Sequence, residues 1–165
     1  MSARRWFAAA VAAYTAAWVL AAVLLPERVP VHFGLSGEVD RWAGRTGALV
    51  AFALIGAGVA ALLWGAAALG DRVPLSQLNT PRKDWWAATP ERVAELRRRG
   101  RRDLEVIGAA TMALLTAVLL GTVRAARAET PRLGAVFLAL VAVYVVFVLV
   151  WVVRAHRDRR AAGED

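Results

Sequence analysis

The chain has no cysteine, which excludes disulfides, thiol nucleophiles and zinc–thiolate sites. It has only two histidines, and no nucleophile or His-rich motif accompanies them. A membrane-embedded hydrolase using His32 with Glu38 or Asp40 is therefore the weakest reading, and an enzyme is not expected. No internal repeat relates the two halves, against the inverted-repeat plan of many transporters. Charge is missing from the middle of four long apolar runs, where the polar residues are Tyr14, Thr15, Thr111, Thr116 and Tyr144. Intramembrane charges usually mark transport paths, so a pore within one copy is disfavoured, while a transporter subunit or homo-oligomer stays open.

What is present is apolar. Of the 165 residues 59% are hydrophobic and mean hydropathy is +0.48, above the roughly 45–50% of an ordinary soluble domain. The excess gathers at residues 6–25, 48–69, 104–123 and 133–153, each near the ~20 residues of helix that cross a bilayer. The expected fold is an all-α integral membrane protein, a four-transmembrane-helix bundle with a short cytoplasmic surface helix. It forms one membrane domain over 1–155 and a charged, frayed tail over 156–165. The first run exceeds the ~7–15-residue apolar core of a signal peptide, so it reads as an uncleaved helix. The Val-rich fourth run reads as the most lipid-exposed.

Net charge is +8, and the basic residues cluster at the ends of the apolar runs, where lipid headgroups lie. A solvated nucleic-acid-binding face would not distribute them so. With four spans, 15 of the 21 Lys and Arg fall on segments sharing the N-terminal side. Cytoplasmic flanks collect such residues, so both termini are expected inside. Trp6, Trp42, Trp85, Trp86 and Trp151 sit near span ends, as an interfacial belt would place them, whereas Trp18 and Trp64 lie deeper.

Residues 26–46 form a compact polar loop pinned by prolines and glycines. Residues 71–103 form a longer one, dense in charge. Within it Thr89-Pro90-Glu91 has the makings of a helix start. The predicted surface helix covers 90 to about 99, with Gly100 either breaking or bending it from the third span. Small residues recur every four positions at Ala9–Ala13–Ala17–Ala21, Ala53–Ala57–Ala61–Gly65 and Ala109–Ala113–Ala117–Gly121. Such rows let helices approach closely in lipid, so leucine at Ala57 or Ala113 is expected to loosen the bundle.

The first loop holds His32, Glu38 and Asp40, a set that suits a divalent metal or acid–base work. The plainer reading is a hydrogen bond from His32 to Asp40 across a tight turn, with Gly34 and Gly37 supplying turn conformations. Lys83 with Trp85 and Trp86 reads first as an interfacial anchor. The arginines at 97–99 and 101–102 read as headgroup contacts, or as a docking face for a protein inside the cell.

The string Leu25-Pro26-x-x-Val29-Pro30-x-His32-Phe33, continued by Gly37-x-x-Asp40-x-Trp42, resembles the bacterial membrane family known as domain of unknown function 1648. A second signature of that family is matched by Asn79, Pro81, Lys83 and Trp86, with Pro90 beyond. Arg45 stands where the family has Lys, and Trp85 where it has Tyr. The same domain opens the longer SdpI-type immunity proteins, which protect bacteria from a secreted toxin and relay its presence to a repressor at the membrane. The resemblance implies a multi-pass protein of the bacterial inner membrane without a cofactor. Its external-loop site would comprise Pro30, His32, Phe33, Gly37, Asp40, Trp42 and Arg45, facing a peptide. Its inner motif would comprise Asn79, Pro81, Lys83, Trp85, Trp86 and Pro90, facing a protein partner. One helix separates the two motifs, so they belong on opposite sides of the bilayer.

Overall fold

The computed structural model describes residues 2–34, 37–132 and 134–162. Helix α1 (Ala3–Leu24) leads into strands β1 (Arg28–Phe33) and β2 (Val39–Gly44), then helix α2 (Arg45–Leu69). Two single 3-10 turns, Gly70–Arg72 and Leu75–Gln77, precede helix α3 (Lys83–Ala87). Helices α4 (Pro90–Ala126) and α5 (Ala135–Ala161) complete the chain. Four helices (α1, α2 with its 3-10 turn, α4 and α5) are long and apolar enough to cross a membrane, so the protein is an all-α membrane bundle carrying one small hairpin.

Helix α4 is the spine, packing against α1, α2 and α5. Its start matches its sequence signature: Thr89 is the N-cap, accepting from the Arg92 N–H at 3.3 Å, and Pro90 opens the first turn. It does not stop near residue 99. One continuous helix of 37 residues runs through Gly100, and at 1.5 Å per residue it is about 55 Å long. That exceeds the ~30 Å hydrocarbon core, so its first turns project beyond the bilayer. A helical glycine costs only about 1 kcal/mol. Here the flanking turn is held by Glu95, which accepts from Arg98 and Arg99 at 2.7 Å each.

The core between α1, α2 and α4 is built on aromatics against glycines. Phe7 and Tyr14 of α1 are buried with Ala17 and Ala21, beside Met112, Leu119 and Val123 of α4. A Cβ on Gly108 would lie 3.0 Å from the Phe7 ring, and one on Gly56 would overlap the Tyr14 ring. The Tyr14 hydroxyl donates to the Phe52 carbonyl at 2.6 Å, and the Trp18 indole donates to the Leu49 carbonyl at 2.9 Å. In lipid, packing and polar contacts of this kind hold helices together. The expected small-residue rows are only partly right. Ala17 and Ala21 are buried, but Ala57, Ala61, Ala113 and Gly121 are exposed. On α2 the buried face is Ala48, Gly56 and Ala67, out of phase with the expected row.

Helix α5 has no buried residue among those described, as its valine-rich sequence suggested. It is held on α4 by polar contacts. Thr111 donates to Ile107 at 2.8 Å, so its single hydroxyl proton is committed, and Tyr144 donates to Thr111 at 2.9 Å. Trp151 donates to Asp103 at 3.1 Å, and Arg159 pairs with the same carboxylate. The C-terminal segment is helical to Ala161 rather than frayed from the end of the span. Residues 163–165 of the tail lie outside the described residues, as do Leu133, Leu35 and Ser36.

Candidate functional site

The first polar segment is an antiparallel hairpin rather than an irregular loop. Val29, Val31 and Val39 with Phe33 and Trp42 supply the β-branched and aromatic residues that strands favour. Pairing runs Arg28 to Gly44, Val29 to Ala43 and Pro30 to Trp42, then shifts at a bulge so that His32 meets Arg41 and Phe33 meets Val39. The Gly34 N–H donates to Glu38 at 2.8 Å and the Gly37 N–H to Gly34 at 2.9 Å. Gly37 takes a φ of 80°, where a side chain would be strained.

The hairpin is anchored at its base and open beyond it. Val29 and Pro30 are fully buried, Val29 joining Leu119 and Val123 of α4 in the core. Arg45, the first residue of α2, donates its guanidinium to the Ala22 carbonyl and its N–H to Glu27 at 3.0 Å. Ala22 lies in the last turn of α1, whose carbonyls lack helical partners, so Arg45 caps that helix with charge of the favourable sign. Beyond the base, His32 Nδ1 meets Asp40 Oδ1 at 2.6 Å with both side chains more than half exposed. The Arg28 guanidinium lies 5.4 Å from the Trp42 ring centre, Val31 is exposed, and Phe33 is half-buried at the strand end.

The plainer reading of His32 and Asp40 is the one the geometry supports. Glu38 does not join them: its carboxylate faces Arg132 of the α4–α5 linker at 3.9 Å. Among the described residues no three His, Asp or Glu side chains converge as a metal would need.

The second motif folds at the other end of α4. Arg82 adopts a left-handed conformation (φ 54°) and accepts the Trp86 N–H at 3.2 Å. Lys83 donates to the Ser76 carbonyl at 2.9 Å, which ties α3 to the preceding turn. Trp85 meets Trp86 edge-on at 4.9 Å and lies under the Arg92 guanidinium at 4.1 Å. Trp86 is only 1% exposed. It is not a belt residue but a core one, donating to the Arg159 carbonyl at 3.3 Å. That carbonyl belongs to the last turn of α5, so Trp86 satisfies a helix end. Pro90 opens α4, Pro81 is half-buried, and Asn79 lines a cavity of about 330 Å³ between the ends of α2, α4 and α5. Thr80, in the same lining, has a buried hydroxyl with no partner among the described residues.

Electrostatics at this end are those of a paired basic surface. Hydrogen bonds from Arg99, then Arg98, hold the Glu95 carboxyl below the usual range. The backbone N–H of Glu91 and the Thr89 hydroxyl do the same for Glu91. Arg97 donates to Val73 at 3.3 Å, and Arg101 pairs with Asp71. The two motifs do not share a site. Val123 beside the hairpin and Leu96 near α3 are both buried α4 residues, and 27 residues of helix put them about 40 Å apart.

Sequence reading had no signal for the Asp103, Trp151 and Arg159 cluster, since its members lie 48 and 56 residues apart. Only the paired ends of α4 and α5 bring them together.

Residues 9–57 match the family described as Domain of unknown function (DUF1648). That stretch contains the hairpin and both interhelical bonds from α1 to α2, Tyr14 to Phe52 and Trp18 to Leu49. Neither the curated proteins nor the solved structures give a match to the chain.

Proposed function

We propose, for a chain that carries the DUF1648 domain over residues 9–57, a non-enzymatic role in the bacterial inner membrane. It receives a peptide outside the cell and relays its presence inside, as a toxin-immunity or envelope-stress sensor does. Both termini are cytoplasmic in this reading. The observation that carries it is a hairpin with a buried base and an open remainder: Val29 and Pro30 are buried, Val29 in the core with α4, while His32, Asp40 and Trp42 are exposed. An open hairpin with exposed aromatic and polar groups suits an extended peptide, which binds by main-chain pairing and side-chain pockets. The same α4 ends at the Trp86 and Asp103 cluster, so both ends bear on one rigid element. The protein partner would meet the arginine-rich projecting turns of α4 and the segment around Lys83.

A transporter is the second reading, and the polar residues of the spans speak against it. Tyr14 is bonded to Phe52, Thr15 to Val11 at 3.0 Å, Thr116 to Met112 at 2.8 Å, and Thr111 to Tyr144. None of these groups is left over to line a path within one copy.

The test is a photoreactive residue at the exposed position 31, activated in native membranes and read by mass spectrometry. The proposal expects a peptide adduct that is lost in His32→Ala and Asp40→Ala. Adducts to lipid alone would contradict it.

A further inference from the structure

At the end of the bundle that carries the arginines, side chains of α4 and α5 line a crevice of about 620 Å³. Its polar lining is uneven. Asp103 is engaged by Arg159, and Glu95 by Arg98 and Arg99. Arg102 and Arg154 are exposed, one from each helix, and have no hydrogen-bond or ion-pair partner among the described residues. Asp158 is the one carboxylate of the lining without a cationic partner among the described residues.

Depth decides what these arginines meet. Arg154 directly follows the apolar stretch of α5, and Arg102 lies two residues before the apolar stretch of α4 begins at Leu104. Both therefore sit where phosphates of a bilayer lie. Trp151 is half-buried in the same crevice, one turn deeper, where an indole favours the interface. The outer flank is the unburied face of α5, so acyl chains reach the crevice directly.

We propose that this crevice binds the phosphate of an anionic phospholipid, with Arg102 and Arg154 gripping it from the two helices and the acyl chains lying along α5. Guanidinium pairs suit phosphate oxygens through forked N–H donors. Basic clefts between transmembrane helices at the headgroup level are a recurrent setting for such binding. The bound lipid would bridge α4 and α5 beside the Trp151–Asp103 and Arg159–Asp103 contacts that already join them here. The site stands apart from the proposed sensing role.

The experiment uses the purified full chain in phosphatidylcholine nanodiscs with and without phosphatidylglycerol, read by native mass spectrometry of retained lipid. Selective retention of phosphatidylglycerol is expected. At the strength of one basic group on an anionic surface, Arg102→Gln or Arg154→Gln should weaken it about fivefold and the pair on the order of 20-fold. Asp158→Asn should strengthen it by removing repulsion. Arg124→Gln with Arg127→Gln, an equal loss of charge at the other end, should change nothing. Equal losses in both paired variants would overturn the proposal by reducing it to net charge. Displacement of the lipid by inorganic phosphate at matched concentration would overturn it too, since the ligand would then be a soluble anion.

Discussion

The ring of Tyr14 occupies the space that a side chain on Gly56 would need, and its hydroxyl is held by the Phe52 carbonyl one turn away at 2.6 Å. The ring cannot swing aside without breaking that bond. Gly56→Ala should therefore destabilise the bundle by about 1–3 kcal/mol, the usual range for overpacking. Gly58→Ala, where nothing lies within 4 Å, should be neutral or slightly stabilising. Thermal unfolding in detergent compares them, and equal melting temperatures would contradict this contact.

Leucine at Ala57 or Ala113 should now leave stability unchanged, because both face outward. Gly108→Leu should lower it by about 1–3 kcal/mol, since even a Cβ there lies 3.0 Å from Phe7. The same melting series decides between the faces.

Asp103 receives both Trp151 and Arg159, whose pair with it is largely buried at 20% and 19% side-chain exposure. Removing one partner of such a pair should cost about 1–3 kcal/mol, between an exposed pair and a fully buried one. Asp103→Asn keeps an acceptor for the indole, so Asp103→Leu should be the worse. Since α5 is attached through these contacts, its release should appear as faster proteolysis after residue 126 before the rest unfolds.

Arg45→Ala uncaps α1 and should cost about 1.5–3 kcal/mol, as for a charged hydrogen bond to a carbonyl. Arg45→Lys should retain most of it, because an ammonium still donates. Amide exchange at residues 22–28 would report the loss as faster opening of the α1–hairpin joint.

The apolar runs made the four spans legible, because within one segment of that length only a helix satisfies its own backbone in lipid. Thr89-Pro90 marked the start of α4 for a local reason, the cap. What stayed hidden was non-local. Alanine is so frequent that its rows do not fix the phase of a helix, and the packed positions were instead Gly56 and Gly108 opposite aromatic rings. The hairpin reads as a loop in sequence because its prolines and glycines interrupt the alternation around Val29, Val31 and Val39. By its neighbours in sequence Trp86 reads as an interfacial residue. Its burial depends on the end of α5, 73 residues away. Of the first-loop residues, Pro30, His32, Phe33, Asp40 and Trp42 lie on the strands and Arg45 opens α2, while Glu38 turns to Arg132, which no spacing rule foretells.

In the proposed arrangement the hairpin and the arginine-rich end of α4 face opposite sides of the membrane. The chain has no cysteine, so single cysteines at the exposed positions 31 and 98 report access without background. A membrane-impermeant maleimide should label position 31 in intact cells and position 98 only after permeabilisation. Labelling of both positions in intact cells would contradict the account.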